Sequence, residues 1–177
     1  MLRLTLDMDD VLADTHEKLA DIVLTEFDTT LNKEDFKVKP LRELLHPKQI
    51  TRLRRIMNEP GFFAEIPVKK DAREVVYKLS GFYEIFIATA AMEFPNSFKD
   101  KFDWLHKHFD FIPWSNIVFC GHKSIIHSDY LIDDTVRNLD AFKGEGILFT
   151  ATHNLHDKTY RRVSDWKEVA ELFLPNK

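Results

Sequence analysis

Residues 2–14, LRLTLDMDDVLAD, join a short apolar run to a cluster of carboxylates. Leucine alternates with other residues up to Leu6, which predicts a buried strand. Side chains two residues apart in an extended segment point the same way, so Asp7 and Asp9 should project together from the carboxyl end of this strand. Two carboxylates held that close repel each other unless a cation neutralises them or one keeps a proton. Magnesium, which prefers hard oxygen ligands, suits such a pair.

The composition predicts a folded domain with a hydrophobic core. The chain has 177 residues, of which 44% are hydrophobic and 31% are charged, and this balance argues against disorder. Its 25 basic and 29 acidic residues give a formal charge of −4. Proteins that bind duplex nucleic acid are strongly basic, so this class is excluded. One cysteine, Cys120, excludes an internal disulfide. Because neither a secretory leader nor a run of about 20 apolar residues is visible, we expect a cytoplasmic protein without a membrane span.

Strand and helix patterns alternate along most of the chain. Further strands are predicted at residues 84–90, 116–120, 130–132 and 147–150, and helices at 71–79, 95–109, 136–142 and 165–173. This alternation predicts a doubly wound, Rossmann-like α/β core with a five-stranded parallel sheet, whose ligands bind at the carboxyl ends of the strands. Asp71 and Glu74 are predicted to form a capping box at the first of these helices.

Residues 15–66 interrupt the alternation. They carry helical patterns at 19–27 and 50–57 but no convincing strand. We predict a small helical insertion after the first strand, with residues 1–14 and 67–177 forming the core. The alternative is that these helices simply cover one face of the sheet. Asp14 is expected to cap the first helix of the insertion.

Other predicted strands also end in polar residues. Asp133 and Asp134 follow the fourth strand, Thr89 ends the second, and Lys123 lies just past the third. Because the ends of parallel strands meet at one edge of a sheet, both acidic pairs are placed to hold one cation. A hydroxyl and an ammonium at neighbouring strand ends suit a bound phosphate. Glycine is scarce, with none before Gly61, so a Gly-rich phosphate loop is excluded.

The ordered set Asp-x-Asp-x-Val, Thr, Lys and Asp-Asp at successive strand ends resembles the haloacid dehalogenase (HAD) superfamily. Four strings resemble more specifically the 5'(3')-deoxyribonucleotidases: DMDDVLAD at 7–14, PGFF at 60–63, LIDD at 131–134, and LFT at 148–150 with Asn154 nearby. In that family the insertion after the first strand is a small helical cap. The resemblance therefore implies a HAD-like catalytic core and a cap formed by residues 15–66.

The resemblance also implies a magnesium-dependent phosphomonoesterase. Asp7 would attack phosphorus to form an aspartyl phosphate, and Asp9 would protonate the leaving oxygen and then activate water. The Asp7 side chain, the Asp9 carbonyl oxygen and Asp134 would hold Mg²⁺, with Asp133 in support. The residues that would bind the phosphate are Thr89, Ala90 and Lys123. Dehalogenases of the superfamily lack the second aspartate and its ATPases carry threonine there, so Asp9 points to phosphatase chemistry.

The implied substrate is a small phosphorylated molecule, with a deoxyribonucleoside monophosphate favoured. Thr15 stands where better-known family members have an aromatic residue against the base. Phe62 and Phe63 are therefore candidates for the base-facing wall, or else they pack inside the cap. Alanine replaces a further hydroxyl residue at Ala90, so main-chain amides would carry more of the phosphate binding. Base preference, deoxyribose or ribose, 5' or 3' phosphate, and the oligomeric state, a homodimer included, stay open.

Three other functions fit parts of the pattern. The nearest is a HAD phosphatase for another small phosphate ester, such as a sugar phosphate. A receiver-type signalling domain also combines acidic residues, threonine and lysine, but its series ends with lysine. The third is a catalytically silent binding protein on the same fold. The basic middle segment either draws anionic substrate to the protein or is a solvated helix face; its residues are Arg52, Arg54, Arg55, Lys69, Lys70 and Arg73.

Overall fold

In the computed structural model, residues 1–175 are described and contain a six-stranded sheet flanked by helices. The strands are β1 (Leu2–Leu6), β2 (Tyr83–Thr89), β3 (Ile117–Phe119), β4 (Tyr130–Asp133), β5 (Glu145–Phe149) and β6 (Arg161–Val163). Their order is β3-β2-β1-β4-β5-β6, and every pairing is parallel. The prediction of a doubly wound α/β fold is confirmed.

Strand β1 lies at the centre of the sheet and positions the acidic cluster. Leu6 pairs with Ile87 of β2 and Ile132 of β4, so the carboxyl ends of the three strands lie side by side. Leu4 and Leu6 are fully buried, and this fixes the register because a one-residue slip would turn them to the opposite face. The strand order reverses between β1 and β4, which is where doubly wound sheets form their ligand crevice.

The predicted number of strands is one too low. The missed strand is β6, which pairs with β5 from Arg161 opposite Ile147 to Val163 opposite Phe149. Only Val163 of its three residues is buried. A short edge strand that begins with two arginines carries no alternating apolar pattern, so periodicity does not reveal it.

Helices pack on the sheet and fill the segment after β1. Within the described residues they are α1 (Thr15–Glu26), α2 (Asp35–Val38), α3 (Leu41–Leu44), α4 (Pro47–Met57), α5 (Ala72–Leu79), α6 (Ser97–His108), α7 (Val136–Ala141) and α8 (Trp166–Phe173). The main hydrophobic core joins these helices to the sheet, with Trp104 and Trp166 almost fully buried. No helix among residues 1–175 has the length and apolar character needed to span a membrane.

Two predicted helix caps are wrong. Asp14 precedes α1, but its carboxylate pairs with Lys69 Nζ at 3.0 Å and makes no cap bond. Asp10 takes this role: from a left-handed φ of 58°, its Oδ1 accepts the main-chain N–H of His16 at 2.7 Å. The predicted capping box of α5 is absent because Asp71 also has a left-handed φ, 64°, and its side chain does not bond to the helix.

The chain leaves the core before residue 15 and returns to it after residue 66 at the same place. The two stems, which are the residues just before and just after this segment, are hydrogen-bonded to each other: Asp14 N donates to Pro67 O at 2.7 Å, and Lys69 N donates to Leu12 O at 2.8 Å. Between these stems the structure has helices α1 to α4 and no strand. We propose on this basis that residues 15–66 form a cap on a core built by the rest of the chain.

Thr5 in β1 places a hydroxyl in the core without a hydrogen-bond partner among residues 1–175. An unsatisfied buried polar group costs about 1–3 kcal/mol. Because valine has nearly the same shape, we expect Thr5→Val to raise the free energy of unfolding by about 1 kcal/mol in urea denaturation. The control is Thr25→Val, which removes an exposed bond from Thr25 Oγ1 to Asp21 O and should not stabilise. A less stable Thr5→Val protein would contradict the prediction.

Candidate active site

A cavity of about 280 Å³ opens where β1, β2 and β4 end. The charged residues that line it are Asp7, Asp9, Asp10, Glu93, Lys101, Lys123, Asp134 and Arg137. The larger apolar residues that line it are Leu19, Met57, Phe63 and Phe94. This cleft therefore combines carboxylates, ammonium groups and an apolar wall.

Asp7 follows β1 directly and is bound by a lysine from beyond β3. Lys123 Nζ donates to Asp7 Oδ1 at 2.5 Å and to the Ala88 carbonyl, and it lies 3.2 Å from Asp133 Oδ2. Lys123 is only 1% exposed. Burial disfavours its charge, but the carboxylates of Asp7 and Asp133 outweigh burial and raise the pKa of Lys123. Lys123 is therefore a fixed cation beside Asp7.

The carboxylates of the cleft carry more negative charge than Lys123 balances. Burial raises the pKa of Asp7 to about 7, an effect that Lys123 opposes and nearby carboxylates reinforce. Burial likewise raises the pKa of Asp134 well above its usual range, and neighbouring carboxylates, Asp7 first, add to the rise. Such a cluster favours an additional cation.

The two aspartates after β4 have different surroundings. Asp133 is fully buried, and it accepts hydrogen bonds from Thr135 N at 2.8 Å and from Asn138 Nδ2 at 3.0 Å. Its remaining close contact is Lys123 at 3.2 Å. Asp134 lines the cleft, with the Thr135 hydroxyl donating to its Oδ1 at 3.2 Å. The carboxylate of Asp133 therefore binds only buried neighbours, whereas Asp134 lines the cleft.

Lys101 of α6 belongs to no motif, yet it is the second buried lysine of the cleft. It is 1% exposed, and its Nζ donates to Asp9 Oδ2 at 2.5 Å and to Thr89 Oγ1 at 2.9 Å. Thr15 Oγ1 donates to the other oxygen, Asp9 Oδ1, at 3.0 Å, so both oxygens of Asp9 are held. Thr89 is fully buried and does not line the cleft, and the phosphate contact predicted for it stays a prediction.

The other predicted residues divide between the cleft and its surroundings. Ala90, Thr15 and Phe63 line the cleft. Phe62 does not line the cleft: it is buried at the edge of the Phe63 ring, with centroids 4.9 Å apart, and Lys18 Nζ lies 4.6 Å from the Phe62 ring centroid. This packing favours the second interpretation of Phe62, a side chain packed within the insertion.

The basic middle segment is mostly neutralised by acidic residues. The ion pairs are Arg52 with Glu26 at 3.5 Å, Arg54 with Glu93 at 2.9 Å, Lys69 with Asp14 at 3.0 Å and Arg73 with Asp110 at 2.9 Å. These pairs fit the interpretation as a solvated surface better than steering of substrate.

A larger cavity, of about 380 Å³, lies between α1 and the loop after β5. Its charged side chains are paired locally, as in Lys69 with Asp14 at 3.0 Å and Lys33 with Asp21 at 2.9 Å. Because Asp7, Asp9 and Asp134 do not line it, the smaller cleft is the candidate active site.

Comparison with known proteins identifies the family. The family model of the 5' nucleotidase, deoxy (Pyrimidine), cytosolic type C proteins matches residues 1–177. The chain belongs to this family. A Staphylococcus aureus (strain Mu50) protein, provisionally named a 5'(3')-deoxyribonucleotidase, is 42% identical over 173 residues, which cover 98% of this chain and 96% of the relative. The resemblance to the deoxyribonucleotidases is confirmed, and with it the assignment as a phosphoric monoester hydrolase.

Solved HAD hydrolases share the fold of this deoxyribonucleotidase-family chain. A haloacid dehalogenase-like hydrolase from Streptococcus pneumoniae superposes with a TM-score of 0.61 at 13% identity, covering 97% of this chain and 98% of its own. The HAD-hydrolase YfnB of Bacillus subtilis, solved bound to magnesium, has a TM-score of 0.55 at 11% identity, covering 98% and 99%. These likenesses show the fold, and magnesium occurs in structures of the superfamily.

Proposed function

We propose that this protein is a magnesium-dependent phosphatase of (deoxy)ribonucleoside monophosphates that works through an aspartyl phosphate on Asp7. The observation that carries the proposal is the pairing of two aspartates with two buried lysines in one cleft: Lys123 holds Asp7 and Lys101 holds Asp9. Membership in the deoxyribonucleotidase family supports the substrate class.

The oxygen donors of the cleft suit Mg²⁺. The carboxylates of Asp7 and Asp134 and the main-chain carbonyl of Asp9 would hold it. Mg²⁺ is usually bound by one or two carboxylates and keeps water or phosphate oxygens as its other ligands, which this set of donors matches. Burial, with neighbouring carboxylates adding to it, raises the pKa of Asp7 and of Asp134, and a divalent cation between them would favour their ionised forms. When bound, the cation supplies charge neutralisation for the phosphate.

In the first step Asp7 acts as nucleophile. Its carboxylate oxygen forms a bond to phosphorus as the bond from phosphorus to the alcohol oxygen breaks. Asp9 gives its proton to that departing oxygen. Lys123, fixed beside Asp7, offsets negative charge on the phosphoryl oxygens, and the main-chain N–H groups near Ala90, a residue that lines the cleft, would do the same.

In the second step Asp9 acts as base. Water attacks phosphorus of the aspartyl phosphate, Asp9 takes a proton from that water, and Asp7 is released as a carboxylate together with inorganic phosphate. Lys101 and Thr15 hold the two oxygens of Asp9, so they act as positioning residues for both proton transfers.

The apolar wall of the cleft suits the nucleoside part of the substrate. It includes the Phe63 and Phe94 rings together with Leu19 and Met57. A base that stacks on an aromatic ring gains about 1–3 kcal/mol whatever its identity. This wall therefore supports a nucleotide rather than a small sugar phosphate.

Phosphate release from a matched panel tests the proposed function. The panel holds 5' and 3' monophosphates of deoxyribo- and ribonucleosides and one sugar phosphate, each assayed with Mg²⁺ and with EDTA. We expect turnover to fall at least about 100-fold in EDTA and deoxyribonucleotides to be preferred. Equal rates on ribose and deoxyribose substrates would contradict that preference alone. A stable phosphoprotein without turnover would instead indicate the receiver-type function.

A further inference from the structure

Asn154, in the loop between β5 and β6, ties this loop to the main chain at Asp134. It is 4% exposed, and its Nδ2 donates to Asp134 O at 2.7 Å and to Phe149 O at 2.8 Å. One amide group thus bridges the end of β5 and the residue that follows β4. The position of Asp134 in the cleft therefore depends on how this loop holds Asn154.

Arg162 of β6 in turn holds Asn154. Its Nη1 donates to Asn154 Oδ1 at 2.7 Å and to Thr150 Oγ1 at 3.2 Å, and its Nη2 donates to the carbonyls of Asn154 at 2.8 Å and Asp157 at 2.7 Å. Because the guanidinium only donates, it fixes the amide oxygen toward β6 and leaves the amide nitrogen for Asp134. Within the described part of the chain Arg162 has no carboxylate partner, so its contacts serve this loop.

His153, next in the same loop, also contacts Asp134. Its Nε2 lies 3.0 Å from the Asp134 carbonyl oxygen and 3.4 Å from Oδ2 of the carboxylate. The loop therefore contacts Asp134 at its main chain and at its side chain, while Thr135 contacts Oδ1.

We infer that Arg162 and Asn154 are positioning residues for the metal-binding carboxylate of Asp134, connected in series from the edge strand β6 to the cleft. The inference rests on the proposed function, since it assigns Asp134 to Mg²⁺. Mg²⁺ demands near-ideal octahedral geometry, so a small displacement of one carboxylate weakens its binding. Loss of a hydrogen-bond partner behind a metal ligand typically reduces metal affinity about 10–100-fold.

Magnesium affinity, measured by calorimetry without substrate, tests this inference. We expect the Kd for Mg²⁺ to rise about 10–100-fold in Arg162→Met and in Asn154→Ala, with kcat at saturating Mg²⁺ within about threefold of wild type. The double variant should be no weaker than Asn154→Ala alone, because residues that act in series are not additive. Arg162→Lys, which keeps the charge but loses the planar fork, should have an intermediate Kd.

The control is Arg161→Met, an exposed neighbour on the same strand, whose Mg²⁺ affinity should stay within about twofold of wild type. A merely structural role predicts a different result: a lower Tm in EDTA with an unchanged Kd for Mg²⁺, and this result overturns the inference. If Arg162→Met does not fold, Arg162→Lys with wild-type Mg²⁺ affinity overturns it equally. A wild-type protein that binds no Mg²⁺ would contradict the proposed function itself, which is a separate outcome.

Discussion

Replacing Asp7 by asparagine should reduce kcat at least about 10⁴-fold while the protein stays folded. An amide of the same size does not attack phosphorus, so the first covalent step is lost. The amide oxygen can still accept the hydrogen bond that Lys123 now donates to Asp7. The measurement is phosphate release at saturating nucleotide and Mg²⁺, with the fold checked by circular dichroism.

Asp103→Asn is the matched control for Asp7→Asn. It makes the same change from carboxylate to amide at an exposed residue of α6 that pairs with Lys99 and does not line the cleft. Its kcat should stay within about threefold of wild type. Wild-type enzyme quenched during turnover of a labelled substrate should carry phosphate on the Asp7 peptide, and Asp7→Asn should carry none. Near-normal turnover of Asp7→Asn would exclude the proposed mechanism.

Most of the fold could be predicted because its central strands and helices carry periodic apolar patterns. The strand predicted from Leu2 to Leu6 is strand β1 of the structure, with the same bounds. Local capping was less predictable: Asp14 has the residue type of a cap, but the nearby Lys69 ammonium takes its carboxylate. Asp10 bonds to the start of α1 instead of Asp14, and this depends on the left-handed φ of Asp10, which no helical periodicity reveals.

Part of the cleft could be predicted from residues that follow strands, because the sheet brings strand ends together. Asp7, Asp134 and Lys123 all line one cleft, whereas Thr89, which ends β2, does not. Lys101 could not be predicted from strand ends, because α6 supplies it. It does carry a weak signal, since it lies three residues after Phe98 and four before Leu105, at the edge of an apolar stripe where a charge needs a buried partner.

The two buried lysines should have different roles, which replacement by methionine would separate. Lys123→Met leaves the buried carboxylates of Asp7 and Asp133 without their cation, so we expect a loss of about 3–5 kcal/mol in unfolding free energy. Formation of the aspartyl phosphate should slow about 100- to 1,000-fold. Lys101→Met affects Asp9, whose side chain is 32% exposed, so its stability loss should be about 1–3 kcal/mol.

The leaving group distinguishes the two effects on catalysis. A nitrophenyl phosphate needs little protonation of its departing oxygen, so Lys101→Met should lower kcat/KM, which reports formation of the phosphoenzyme, at least about tenfold more for the nucleotide than for nitrophenyl phosphate. Because Asp9 also activates water, hydrolysis of the phosphoenzyme should slow as well, so the phosphoenzyme should accumulate with nitrophenyl phosphate in Lys101→Met and not in Lys123→Met. Lys99→Met, which removes an exposed lysine of the same helix, is the control and should match wild type. If kcat/KM fell equally for both substrates in Lys101→Met and no phosphoenzyme accumulated, Lys101 would not act through Asp9.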